Sequence, residues 1–231
     1  MVPAAKPNAV EMPIRIPNRI TPRAAISLQK KLAPLVSETS ALPEKVARFV
    51  GCDATYLRGT TVAAATLVNY DNLALLKTKF IRERTRFPYI PGLLAFREGP
   101  VVVRAIRALR ANSYVCLVDA HGLAHPRKFG LACFVGVALN RPTIGVAKSL
   151  LYGWVRGNQV VDHDGYPIAE LVALPQSGKT VYVSVGHRVS LKDAVEIVKR
   201  CLTPRGPAPI IFAHDEVTKN KWQIKKSNPA S

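Results

Sequence analysis

Apolar and polar positions change period several times along the chain, and each change predicts an element. Thr21-Pro22 opens a helix, with Thr as the N-cap and Pro at the first helical position. Ile26, Leu28, Leu32 and Leu35 give that helix an apolar side. Three strand-like runs follow over 46–57, 60–70 and 73–83. The breaks between them, Arg58-Gly59 and Asp71-Asn72, are short and turn-prone, which predicts antiparallel neighbours. After a Pro-rich loop at 88–92 a helix is expected over 94–110, with Val102, Val103, Ile106 and Leu109 as its core stripe. Residues 114–119 form a short β-branched run suited to a buried strand. A Gly/His/Pro loop then leads into a small-residue helix over 129–139 and a strand over 143–147. Segments 153–161 and 165–174 read as a hairpin turning at 162–165, and 180–185 as a further strand. Ser190 caps a helix reaching Cys201, and the last 30 residues show no clear period.

Three antiparallel strands followed by helix–strand–helix–strand predict an α/β fold: one mixed β-sheet with helices on both faces, in a single domain. The boundaries expected are an N-terminal arm over 1–20, a catalytic domain over 21–216 and a basic tail over 217–231. The arm is basic and carries Pro3, Pro7, Pro13 and Pro17, with no apolar stretch of the signal-peptide kind.

Composition changes the picture in two ways. Of 231 residues, 48% are hydrophobic, which supports a sizeable core and excludes disorder of the whole chain. Lys plus Arg number 33 against 15 acids, a net charge of +18. Such a field attracts polyanions, although a basic surface also serves solubility alone. Cys52, Cys116, Cys133 and Cys201 are far apart and form no CxxC; the first three lie in apolar runs. A zinc site and a disulfide framework are both disfavoured, and a reducing cytoplasmic setting is expected. No run approaches the roughly 18 apolar residues of a membrane span.

Against this cationic background, carboxylates in apolar runs stand out. Asp53 sits in RFVGCDATYL, where strand alternation places it with Gly51 and Thr55 on one face. An Asp in mid-strand contradicts β propensity. Asp119 ends the run YVCLVD, at the carboxyl end of a strand, where sites gather in open α/β sheets. Glu98 opens the helix after the Pro-Gly loop. If the three converge, they supply hard oxygen ligands for Mg²⁺ or Mn²⁺. Three carboxylates and one phosphate carry about −4, which two divalent ions neutralise. Two of the three also have a plain reading: an Asx turn for Asp119, complementing a helix dipole for Glu98.

Other residues fit a nucleic-acid site. Pro88 and Pro91 stiffen the loop that presents Tyr89 and Ile90. A rigid aromatic can hold a base-pair stack open, or simply pack on the core. His125-Pro126-Arg127-Lys128 precedes a helix N-terminus, a plausible phosphate seat; His125 would orient water or touch a phosphate, or be structural. Lys148 ends a buried-type strand, where its charge would meet a phosphate or reach solvent. No GxSxG occurs, so a serine nucleophile has no motif to support it.

The segments GCDATY, FPYIPGLLAFREGP, VDAHGLAHPRKFGLA, PTIGVAKS, VSVGH and PAPIIFAH, in this order over about 21–214, resemble the endonuclease V family (deoxyinosine 3′ endonucleases). The resemblance implies a ribonuclease H-like fold. It also implies Mg²⁺-dependent hydrolysis, with Mn²⁺ able to substitute, of the second phosphodiester 3′ to deoxyinosine in DNA repair, leaving a 5′-phosphate. By motif match, Asp53, Glu98 and Asp119 are similar to the family's metal and catalytic acids, Lys148 to its phosphate-side lysine, and His214 to the late residue that completes the site. Tyr89 resembles the wedge; Gly92, Leu94 and Gly122 fall where the base pocket lies. One departure stands beside Asp119: the family usually has Gly at the next position, and here Ala120 adds a Cβ, expected either to narrow the base pocket or to shift backbone donors. The expected partner is DNA containing deoxyinosine, bound by a monomer. The alternatives are inosine in RNA as the substrate, and a basic nucleic-acid-binding module without catalysis.

Overall fold

β1 (Arg48–Leu57), β2 (Thr60–Asn69) and β3 (Leu75–Arg84) pair antiparallel in chain order, as the short turns predict. β1 also pairs in parallel with β4 (Tyr114–Val118), and β4 in parallel with β5 (Thr143–Ala147). The sheet is completed by β6 (Trp154–Arg156), β7 (Gln159–Val161), β8 (Pro167–Ala173) and β9 (Thr180–His187), all antiparallel to their neighbours. The nine strands lie in the order β3-β2-β1-β4-β5-β9-β8-β7-β6. The structure is a computed structural model that describes residues 14, 16–17 and 19–226, with side chains to 220.

Five α-helices accompany the sheet among the described residues: α1 (Pro22–Leu32), α2 (Leu94–Ala108), α3 (Leu131–Leu139), α4 (Leu191–Arg200) and α5 (Ala208–Lys226). β2 shows why the sheet is covered on both sides. Ala63, Ala65 and Leu67 belong to the main core with α2 and α3 residues, whereas Ala64 joins Ala213, Val217 and Phe80 in a separate cluster under α5. Alternation sends these two sets to opposite faces, so a strand buried along nearly its whole length here means two helical layers. Gly51 of β1 faces α5 at contact distance: a Cβ there would lie 2.0 Å from the Pro209 carbonyl oxygen.

Several expectations need correction. The inward stripe of α1 is Ala25, Gln29 and Leu32, with Ile26 and Leu28 only half-buried and Leu35, in the 3₁₀ turn Ala33–Leu35, exposed. Positions 25, 29 and 32 share a helix face, and burial follows that geometry rather than side-chain hydrophobicity. The 153–161 segment is itself a hairpin, β6–β7, which turns at Gly157 with φ +63°. α3 begins at Leu131, two residues later than expected. The unreadable last 30 residues hold a hairpin of β10 (Leu202–Thr203) and β11 (Gly206–Pro207), followed by α5. α5 runs across the boundary expected at 216/217. Of the expected arm, residues 1–13, 15 and 18 lie outside the described residues, while Ile14 is buried in the main core. Among the described residues no helix is long and apolar enough to cross a membrane.

Candidate active site

The parallel β1/β4 ladder runs on for one further bond: the Asp119 N–H donates to the Cys52 carbonyl at 3.2 Å. This places Asp119, just past β4, beside Asp53 on β1. α5 then lays His214 over the same strand, where Nδ1 lies 2.9 Å from Asp53 Oδ2. Ligand atoms of Asp53, Asp119 and His214 lie within 4.8 Å of one another. Lys148, just beyond β5, reaches Asp119 Oδ2 from the other side at 2.7 Å. Burial, and then the charge of Asp119, pushes the Asp53 carboxyl above its usual range, against the His214 contact and the Ala54 N–H that donates to it. Two adjoining carboxylates with this mutual penalty favour a cation. Two hard oxygen donors plus an imidazole can hold a divalent metal ion.

Glu98 sits differently from the expectation. It lies in the second turn of α2 rather than the first, and it is buried, so complementing the helix dipole is not its role. Its carboxylate accepts a hydrogen bond from the Tyr56 hydroxyl, and the Arg97 guanidinium lies 3.7 Å from the centre of the Tyr56 ring. Burial, above all, with the charges of Asp53 and Asp119 adding to it, pushes Glu98 up to about 7; the Tyr56 hydroxyl and Arg97 act against this. Glu98 therefore senses both aspartates while Tyr56 tethers it, and His214 stands with the two aspartates in the tight group. Tyr56 was invisible in the sequence because β1 carries it three residues beyond Asp53, on a strand that otherwise reads as core.

Asp119 is followed directly by the lining of a cavity of ≈ 270 Å³. Tyr89, Ile90, Pro91, Gly92 and Leu94 form one wall; Ala120, His121 and His125 form the other, with Leu150 and Leu151 at the side. Ala120 is part of this lining. Tyr89 is 67% exposed, so its ring is not packed on the core, while Pro88 is exposed beside it. Gly122 is not part of the lining: it is pressed against β9, with a Cβ 1.9 Å from the Val185 carbonyl oxygen if one were added. Sequence reasoning passed over His121 and Gln29, which both line the cavity.

At His125-Pro126-Arg127-Lys128, the expected phosphate seat, the side chains already have partners within the protein. His125 is buried; its Nδ1 accepts the Arg127 N–H at 3.1 Å, so Nε2 carries the proton and donates to the Gly92 carbonyl at 2.9 Å. Arg127 bonds Gln29 and Gly92, and Lys128 pairs with Asp162 at 2.7 Å. His125 is turned into the fold, and the half-buried Arg127 and exposed Lys128 are engaged by acceptors that the sequence does not place beside them. Burial, then the Arg127 charge, pulls the His125 imidazole down to about 4. Between that value and the ordinary 6.5 the unfolded chain binds a proton that the folded one refuses. Stability from this group is complete above pH 6.5 and falls as pH drops toward 4, by about 3 kcal/mol in all. Denaturant unfolding at pH 7 and pH 4.5 should show this slope, and His125→Gln should flatten it; an equal slope in both proteins would refute the assignment.

The sequence profile of the family described as Endonuclease V matches residues 30–215. The chain belongs to the endonuclease V family. Endonuclease V of Desulfurococcus amylolyticus is 39% identical over 198 residues, covering 84% of this chain and 90% of that protein. Endonuclease V of Thermus thermophilus is 38% identical over 216 residues, covering 88% and 95%. Among solved structures, Endonuclease V from Streptomyces avermitilis superposes with a TM-score of 0.80 at 31% identity, covering 89% of this chain and 95% of that one. Ciona intestinalis Endonuclease V, solved in complex with a 24mer DNA containing an inosine followed by a ribo-adenosine, has a TM-score of 0.79 at 27% identity, covering 86% and 96%. The fold is ribonuclease H-like, and family membership makes the protein a hydrolytic deoxyribonuclease.

Proposed function

We propose that this protein is a Mg²⁺-dependent endonuclease that recognises deoxyinosine in DNA and hydrolyses the second phosphodiester 3′ to it, in repair of deaminated adenine. The observation that carries this reading is the adjacency of two sites. The metal-competent group of Asp53, Asp119 and His214 passes, through the single step from Asp119 to Ala120, into a cavity bordered by an exposed aromatic. When bound there, Mg²⁺, or Mn²⁺ in its place, supplies charge neutralisation and Lewis-acid assistance to phosphodiester hydrolysis. Asp53 and Asp119 hold it, with His214 completing the set. Lys148 is placed to meet the phosphate beside Asp119. Glu98, which feels the charges of Asp53 and Asp119, is a further carboxylate beside the metal group, and a cation there would relieve their mutual repulsion. Gly92, Leu94 and Ala120 offer the displaced base a pocket, and Tyr89 fills the gap it leaves. We read the protein as a cytoplasmic monomer whose four cysteines are buried thiols.

The test is cleavage of matched DNA and RNA oligonucleotides, each with one internal inosine, in Mg²⁺ and in chelator, with the nick mapped. A Mg²⁺-dependent nick at the second bond 3′ to inosine in DNA supports the reading. Cleavage of RNA alone would replace it with an inosine-specific endoribonuclease. The Ciona complex, with its ribo-adenosine after the inosine, is the observation that keeps this second reading alive.

The wedge role has its own expected result. Extruding a base costs a few kcal/mol, and one stacked aromatic returns about 1–3 kcal/mol. Tyr89→Ala should therefore weaken binding to inosine duplexes by roughly 10- to 100-fold. Equal affinity of the two proteins in an anisotropy titration would remove Tyr89 from the binding site.

A further inference from the structure

The Gly92 carbonyl receives three side-chain donors. The Arg127 Nη2 lies 2.7 Å away, the His125 Nε2 2.9 Å and the Gln29 Nε2 3.0 Å. A peptide oxygen normally accepts one or two bonds, so three donors from two segments fix this oxygen from several directions. Gly92 has φ +78°, and a Cβ there would lie 2.7 Å from the Arg127 Nη2. Glycine is thus needed both for the turn and for the close approach of the clamp.

Gln29 is the member that ties the clamp together. It is fully buried on α1. Its second amide hydrogen goes to the Phe129 carbonyl at 2.7 Å, and its Oε1 accepts from the Arg127 Nε at 2.6 Å. Both hydrogens and the oxygen are therefore in use. The amide has only one workable orientation, since rotating it by half a turn would set its oxygen against two carbonyls and its NH₂ against a guanidinium. A buried amide satisfied at every hydrogen-bonding atom holds its partners rigidly. The network joins α1, the loop that carries Tyr89 and the loop that carries His125. Both loops line the ≈ 270 Å³ cavity, which Gln29 also lines.

We propose that Gln29 is a specificity-determining positioning residue. By holding the Gly92 carbonyl together with His125 and Arg127, it sets the spacing of the cavity walls and the root of the Tyr89 loop. Discrimination between a deaminated base and a normal one then depends on a residue of α1. The inference rests on the proposed inosine reading and deepens it.

Two variants separate its parts. Gln29→Glu keeps the length and the acceptor for Arg127 but loses both amide donors. Gln29→Leu keeps the approximate volume and loses all three bonds. Each is compared with wild type for kcat and KM on an inosine duplex, for affinity to the undamaged duplex, and for 2-aminopurine fluorescence reporting base extrusion. Thermal unfolding records whether the variants are folded. KM on the inosine duplex is expected to rise roughly tenfold with kcat within about twofold. Affinity for undamaged DNA should stay constant, and the extrusion signal should fall. Folded variants with an unchanged ratio of inosine to undamaged affinity would overturn the assignment and leave Gln29 a packing residue. If neither variant folds, Arg127→Lys, at a half-exposed position, removes two arms of the network and must show the same loss of discrimination. A wild-type protein without preference for inosine would instead overturn the underlying reading, a result distinct from variants that merely match it.

Discussion

Asp119→Asn is expected to abolish cleavage, lowering kcat by about 10³-fold or more, while DNA binding survives. The two side chains share one shape, so β4 and its bond to Cys52 stay in place. What changes is the charge at the end of the strand. Asp119 stands within 4.8 Å of Asp53 and His214 and pairs with Lys148 at 2.7 Å. The neutral amide removes one of two carboxylates from the metal-competent group and turns Lys148 from a paired to an unpaired cation. A consequence follows for stability. The Asp119 charge is the second cause, after burial, of the raised Asp53 carboxyl. Without that charge the metal-free protein loses a repulsion, so the variant should unfold in chelator at the same temperature as wild type or a higher one. Divalent ions reverse the order. A ligand present at 100 times its Kd stabilises the folded state by about 2.7 kcal/mol, and the Asp119→Asn variant should forfeit most of that. Thermal unfolding with and without Mg²⁺, beside single-turnover cleavage, checks both halves. Substantial turnover by the variant in Mg²⁺ would remove Asp119 as a primary ligand.

How much of this was legible in the sequence depended on whether a residue's role is local. β1 to β5 and the helices between them follow from period and turn chemistry, because hydrophobic alternation and short breaks act within a few residues. Asp53 and Asp119 were legible because they break those local rules, and a parallel pairing of β1 with β4 is enough to bring them together. The tether of Glu98 was not legible: it comes from Tyr56, 42 positions away, whose hydroxyl faces α2 only once the sheet has formed. The same holds for His125, Arg127 and Lys128. Their sequence suggests an anion seat, yet Gly92, Gln29 and Asp162 supply partners from three other segments. α5 was missed for a different reason. Ile210, Ala213 and Val217 are among its buried positions, but the neighbouring Ile211 and Phe212 blur the stripe, and polar residues crowd its later turns. His214 could be placed only by likeness of motif, since nothing nearby in the chain marks the helix that carries it.

That helix also carries the second large effect. Gly51→Ala is expected to destabilise the protein by about 3 kcal/mol, the upper part of the range for an overpacked core, and to impair catalysis along with it. The new methyl group would lie 2.0 Å from the Pro209 carbonyl oxygen and 2.1 Å from its carbon. Both are backbone atoms in the first turn of α5, so no side-chain rotation relieves the contact. The Thr66 hydroxyl, which donates to that same Pro209 oxygen at 2.9 Å, holds the turn down over the strand. To reach ordinary contact distance the helix must lift by more than about 1 Å, and the Thr66 bond stretches or breaks. His214 lies further along the same rigid helix, so the lift also opens its 2.9 Å contact with Asp53. At this chain length about 3 kcal/mol corresponds to a fall in Tm of roughly 6–12 °C. Thr66→Val separates the causes: it removes the hydroxyl without adding a clash, so it should lower Tm by less and leave metal binding intact. Gly51→Ala should weaken metal binding even well below its Tm, because the donor set itself has moved. A Gly51→Ala protein with wild-type Tm and metal affinity would mean that α5 does not rest on β1 at this distance, and the Asp53–His214 pair would lose its structural basis.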